Sequence, residues 1–288
     1  MSEQRLAVAK TYKLFIGGKF PRTESGRYIA FESSTGEFVA NVSRASRKDL
    51  RNAVVAARAA LSGWCAANAY LRGQILYRIA EMVESRQAQF VDELMREGMT
   101  RDAAQYDVQR SVDWLVHYAG WSDKYMQILS AVNPVASQHF CFTVPEPVGV
   151  VTAIAPRSGG LFGLVSVLAP TIVGGNTLIV IADAAHPLTS VALAEALHAS
   201  DVPAGVANML TGRRDELLPQ AVSHDDIDAL LSADLTDDEW QLAQEQGADH
   251  LQRQPQLPTS AIRAPGDDGL EAIACLQEMK TTWHPAAQ

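Results

Sequence analysis

Between Val148 and Asp183 the chain carries two short apolar runs, Val148 to Ile154 and Leu178 to Ile181, each bounded by Pro or Gly. A strand covered on both faces has no solvent side on which to alternate, so it reads as a continuous apolar run. The stretch between them, Leu161 to Val173, is apolar and of helical length. Two parallel strands joined through a helix need a right-handed crossover, so this one segment restricts the fold to the α/β class. We therefore expect an α/β protein with a Rossmann-like parallel sheet.

The same alternation continues downstream. Helices are expected at Leu188 to His198 and Glu216 to Val222, and strands at Val206 to Leu210, after Pro203-Ala204-Gly205, and at Ile227 to Leu231. Thr236 and Glu239 have capping-box spacing ahead of a helix containing Trp240 and Ala243. Upstream the period is helical and predicts an N-terminal helical layer. Ser46 and Asp49 cap a helix whose Leu50, Val54, Ala57 and Leu61 share a face, and further helices run over Leu71 to Glu84, Gln87 to Glu97 and Arg101 to about Met126. Phe15 to Phe20 and Tyr28 to Val42 read as opening strands, bent first at Gly17-Gly18. His139 to Val144 reads as an extended arm stopped by Pro145 and Pro147. Three units follow: residues 1–251 with the arm at 139–147, a Pro-rich linker at 252–269, and a closing strand within 270–288.

Composition removes several function classes. A hydrophobic share of 47% over 288 residues supports a real core, and a net charge of -9 without a basic cluster argues against nucleic acid. No window approaches the roughly 18 apolar residues of a membrane span, so a cytoplasmic protein is expected. Cys65, Cys141 and Cys275 are far apart and lack metal-ligand spacing, as do the scattered histidines, so no metal is expected.

Seven segments, Leu14 to Phe20, Tyr118 to Lys124, Glu146 to Val151, Leu168 to Pro170, Gly175 to Thr177, Pro187 to Thr189 and Val206 to Gly212, resemble the aldehyde dehydrogenase superfamily in family order. Through about Asp249 the resemblance implies the cofactor-binding domain plus the start of an oligomerisation hairpin. Leu276 to Trp283 resembles the strand that closes full-length members. The family's cysteine nucleophile in a Gly-Gln-Cys setting and its glutamate base in a Glu-Leu-Gly-Gly setting do not occur in this sequence.

At the family's cofactor cleft the chain departs from the pattern. The run Pro156-Arg157-Ser158 places Ser158 where the resemblance implies an oxyanion asparagine, and Ile181 and Ala184 stand at the positions of a ribose-binding lysine and glutamate. Acidic residues from Asp234 to Glu239 crowd the helix start where the family has a Gly-Ser turn. Asp183 reads as a solvated loop acid, although a ribose is within its chemistry. On these grounds the expectation is a pseudoenzyme with no catalytic residue and no cofactor, NAD binding being weak or lost. Such a subunit would scaffold or regulate a full-length aldehyde dehydrogenase, or pair with itself, through Phe140, Phe142, Met279 and Trp283. Two alternatives stand beside it: an NAD(P)-dependent aldehyde oxidoreductase or NAD-binding protein with an atypical site, and a small-molecule binding module.

Overall fold

A computed structural model describes residues 10–33, 36–257 and 269–286. The expected parallel sheet is present. Strands β5 (Val150–Ile154), β6 (Thr177–Ile181), β7 (Ala207–Leu210) and β8 (Ala229–Leu231) lie in the order β7-β6-β5-β8, all parallel. Their side chains divide cleanly. Val151, Ala153, Leu178, Val180, Ala229 and Leu231 enter the larger core cluster, while Val150, Ile154, Ile179, Ile181 and Leu230 enter a second cluster on the opposite face. Both faces are covered, which is why no strand alternates in sequence.

The larger cluster is closed by α2 (Ala69–Ser85), α3 (Gln87–Arg96), α4 (Arg101–Trp121), α6 (Gly160–Val173) and α7 (Pro187–His198). The second lies under α1 (Arg47–Ala66), α8 (Arg214–Val222) and α9 (Asp237–Gly247). Both capping boxes form, Ser46 with Asp49 and Thr236 with Glu239. Gly205 enters β7 at a φ of 91°, where a Cβ would lie 2.4 Å from the Ala56 carbonyl oxygen, so only glycine fits that turn.

Several boundaries differ from the expected ones. The opening segment 15–20 makes isolated bridges, Phe15 to Met209 and Ile16 to Lys19, in place of a full strand. The long fourth helix ends at Trp121, and a short helix α5 (Tyr125–Leu129) follows. Strands β1 (Tyr28–Glu32) and β2 (Phe38–Ser43) form a separate hairpin. The three-stranded sheet is instead β3 (Ala131–Asn133), β4 (His139–Pro147) and β9 (Gln277–Pro285), β9 being preceded by the short α10 (Leu270–Ala274). Pro145 and Pro147 do not stop β4, because β3 covers only Cys141 to Thr143 and leaves one side of the strand open where a proline is tolerated. Within the Pro-rich stretch, Arg253 and Gln256 bridge to Ala229 and Ser232 beside β8, and residues 258–268 lie outside the described ones. Among the described residues no helix is long and apolar enough to cross a membrane.

Helix α6 is buried along its whole length. A helix without solvent at its ends must satisfy its unpaired carbonyls by other means. At its C-terminus Trp64 Nε1 donates to Ile172 O at 2.9 Å, Arg72 Nε to Val173 O at 2.9 Å, and Gln277 Nε2 to Gly174 O at 3.2 Å. Buried Arg72 also donates to Ala67 O and Tyr125 Oη, so one guanidinium joins α6, α2 and α5. Arg72→Met is expected to lower unfolding stability by about 2–4 kcal/mol, because the buried Val173 carbonyl and the half-buried Ala67 carbonyl lose their donor. Exposed Arg101→Met should stay within about 0.5 kcal/mol, and urea denaturation measures both.

Candidate functional site

The strand order sets where a ligand can enter. From β5 the chain moves outward through β6 to β7 and then returns to the other side of β5 as β8, which opens a crevice at the carboxyl ends of β5 and β8. Four of the singled-out positions meet there: Pro156, Arg157 and Ser158 after β5, and Asp234 after β8. The other two lie at the end of β6. Ile181 is buried in the core cluster beneath α1 and α8, so its side chain is a packing group, and Ala184 is exposed on the following loop.

The crevice is bridged by charge. Arg157 donates through Nη2 to both carboxylate oxygens of Glu239, at 2.9 and 2.8 Å, and through Nη1 to Asp234 O at 2.7 Å. Its backbone N–H donates to Asp234 Oδ2. Arg214, at the start of α8, donates to Asp234 Oδ1 at 3.2 Å and to Ala155 O at 2.7 Å. Glu239 also completes the cap of α9 by accepting from Thr236 N at 2.9 Å. Burial pushes the Glu239 carboxyl up, but the Thr236 N–H and the Arg157 guanidinium outweigh it and hold the group below the usual range. Arg157 is correspondingly held more firmly in its charged form, chiefly by its hydrogen bond to Glu239.

A second carboxylate stands at the end of β6. Asp183 Oδ2 accepts from Ser158 N at 2.7 Å and lies 3.3 Å from His186 Nδ1. Burial raises its pKa, while His186 and the Ser158 N–H lower it further and leave it below the ordinary value. Ser158 itself sits at φ 53°, the left-handed region, which a non-glycine residue adopts at a cost of about 1–3 kcal/mol. Asp183 is thus a bonded, partly buried acid and not a solvated one.

Behind the crevice the N-termini of α6 and α7 are occupied by acids from the helical layer. Asp107 accepts from Leu161 N at 2.8 Å and Phe162 N at 3.2 Å, and Glu97 accepts from Leu188 N, Thr189 N and Thr189 Oγ1. Helix N-termini following the first strands of such a sheet attract anions, and here carboxylates from α4 and the end of α3 take those places. Burial drives Glu97 up to about 7 and Asp107 up to about 6, against the hydrogen bonds and the nearby His186. His186 is lowered by burial but raised more by Asp183, Glu97 and Asp107.

This donor set suits an anion. Two guanidiniums and two backbone N–H groups, those of Arg157 and Ser158, converge on the switch point, each now held by a carboxylate oxygen of Asp234, Asp183 or Glu239. Phosphate oxygens would take the same donors. A phosphate-bearing ligand therefore suits these donors, in exchange for the internal carboxylates. Of the cysteines, Cys65 and Cys275 have thiols pushed up by burial, Cys275 to about 11, while Cys141 is buried on β4. Among the described residues no group of metal-ligating side chains is assembled. Sequence reasoning did not identify Arg214, Asp107, Glu97 or His186, whose partners in the network lie mostly on other elements.

Residues 20–232 match the family model described as "Aldehyde dehydrogenase family". An aldehyde dehydrogenase of Enchytraeus buchholzi is 32% identical over 247 residues, covering 84% of this chain and 49% of the relative. Retinal dehydrogenase 2 of Gallus gallus is 32% identical over 227 residues, covering 77% of this chain and 43% of the relative. The chain thus spans about half the length of the relatives it matches. Among solved structures, an NAD+ complex of aldehyde dehydrogenase from Bacillus cereus superposes with a TM-score of 0.80 at 23% identity, covering 86% of this chain and 50% of that one. Two expectations are corrected by these matches. The reading as a non-enzyme gives way because the relatives are named as dehydrogenases, and nothing in the match shows their chemistry to be lost. The expectation of no cofactor gives way because residues 20–232 match the aldehyde dehydrogenase family, a solved member of which is an NAD+ complex, and the substitutions at Ile181 and Ala184 do not by themselves outweigh that match.

The raised carboxyls fix the sign of the pH response. The ordinary value for Glu97 is 4.5 and its folded value is about 7, so its contribution to stability is full below the former and is lost as pH rises through the latter. Asp107 acts with the same sign over a lower window, up to about 6. Denaturation midpoints should fall between pH 5 and pH 8, with about 3 kcal/mol of the change traceable to Glu97. Glu97→Gln should flatten most of that slope, as read by urea melts across the range.

Proposed function

The chain belongs to the aldehyde dehydrogenase family, and we propose that it works in the NAD(P)-dependent oxidation of aldehydes, with a dinucleotide site of atypical design. The observation that carries the reading is the set of donors at the switch point, two guanidiniums and two N–H groups, with an ionised acid at the end of the second strand. Arg157 and Arg214 would hold the phosphates and Asp183 the adenosine ribose. Bound there, the nicotinamide supplies the hydride acceptor for an aldehyde.

The site's own groups set the conditions of binding. Glu239 and Asp234 compete with phosphate for Arg157, so the dinucleotide has to displace them, and affinity is reduced by the work of parting charged hydrogen bonds. Asp183 disfavours a second anion beside it, which selects NAD over its 2′-phosphorylated form. Titration calorimetry should therefore show NAD+ binding more tightly than NADP+. Glu239→Gln should tighten NAD+ by about three- to tenfold, since an amide holds Arg157 less strongly. Asp183→Ala should weaken it by about tenfold. Absence of any heat or melting shift with either dinucleotide at a few millimolar would remove this reading.

We also propose that the β3-β4-β9 sheet serves assembly, with a second copy or a full-length aldehyde dehydrogenase chain as partner. Supporting it are two open sheet edges and large apolar side chains left exposed, Val132, Phe140, Met279 and Trp283. The register puts Phe140, Phe142 and Val132 on one face and Met279 and Trp283 on the other, so the four residues taken together from the sequence belong to opposite surfaces. Trp283→Lys and Phe140→Glu should each lower the oligomer mass seen by light scattering if their face is covered. A mass unchanged by both, or a wild-type monomer that also forms no heavier species with a full-length aldehyde dehydrogenase, would contradict assembly through this sheet.

A further inference from the structure

The turn from Arg22 to Gly26 and the β1–β2 hairpin enclose a pocket of about 340 Å³, based on the buried Tyr12. None of its lining residues belongs to the crevice between β5 and β8. The volume is at the lower end for metabolite sites, which run from roughly 300 to 1,000 Å³. Its lining is rich in donors: the guanidiniums of Arg22 and Arg27, the Thr11 hydroxyl, the Asn41 amide and the Tyr28 phenol. Among the described residues the side chains of Arg22, Thr11, Asn41 and Tyr28 engage no protein partner.

The neighbouring acids are committed elsewhere. Asp49 accepts from Thr23 Oγ1, Glu24 N and Ser46 N, and Glu24 pairs with Lys48 at 3.0 Å. Glu216 lies 3.7 Å from Arg27 but is gripped more closely by Arg44. The pocket is left with a local cationic excess in a chain whose net charge is -9. A guanidinium is a planar fork that matches the paired oxygens of a phosphate or carboxylate. We infer that this pocket binds a small organic anion, whose phosphate or carboxylate is taken by Arg22 and Arg27 and whose remaining polar groups meet Asn41, Thr11 and Tyr28.

The test uses the whole chain, with inorganic phosphate and acetate as probes and chloride at matched ionic strength as the reference. Thermal melting should rise saturably with phosphate or with acetate, beyond the chloride reference, and the anion that gives it identifies the group recognised. Arg22→Ala should weaken that response about tenfold, and Arg22→Lys, which keeps charge but loses the fork, by a smaller factor. Arg157→Ala should leave it in place, which separates this pocket from the dinucleotide crevice. No anion effect beyond chloride would overturn the inference, as would a response that survives Arg22→Ala and disappears in Arg157→Ala.

Discussion

Helix α6 is buried along its whole length, and its neighbours on every side are arranged to meet its backbone as well as its side chains. Its apolar surface fills the space between the sheet and the helical layer, but burial removes water from its C-terminal end and leaves its first N–H groups partly buried. The chain answers with side chains from distant elements, Asp107 at the N-terminus and Trp64, Arg72 and Gln277 at the C-terminus. Each of these residues ties another element to α6. The hydrogen bonds that satisfy one helix therefore also fix α1, α2, α4 and β9 in place, and none of those elements can shift without orphaning a buried carbonyl or N–H.

The same accounting shapes the crevice. In a sheet of this order the switch point collects positive ends of helices, free backbone N–H groups and basic side chains, so it attracts anions whatever their origin. Here the anions nearest to hand are the protein's own. Asp234, Glu239 and Asp183 hold Arg157, Arg214 and Ser158, while Glu97 and Asp107 occupy the helix starts behind them. A site so filled is not thereby a dead one. Its donors remain aimed into the crevice, and the competing carboxylates set how strongly any anionic ligand must bind to displace them. On this account, affinity is governed by the strength of the internal ion pairs more than by the loss of single polar side chains at Ile181 and Ala184.

How much of this was legible in the sequence follows from the range of each interaction. The buried runs of β5 and β6, the helical faces of α1 and α4, and the capping boxes at Ser46 and Thr236 depend on neighbours within a few residues, and the structure contains all of them. Pairings across the chain were not readable. Arg157 meets Glu239 across 82 positions and Asp107 meets Leu161 across 54, and neither spacing leaves a local signature. Pro145 misled because a proline signals the end of a strand only where both sides are paired. At the site, matching residues position by position with the family exposed what Ile181 and Ala184 lack. Asp183, one residue from Ala184, leaves no such mark in the sequence, because its carboxylate is fixed only by the fold of the loop around His186 and Ser158.

We propose that the crevice between β5 and β8 is a dinucleotide site held shut by the chain's own carboxylates. Hydrogen–deuterium exchange with and without saturating NAD+ addresses it most directly. The account predicts altered protection confined to the amides around Arg157 and Ser158, the loop at Asp183, and the α9 start from Asp234 to Glu239. NAD+ that binds while leaving those amides unchanged, or that protects a different surface, would contradict it.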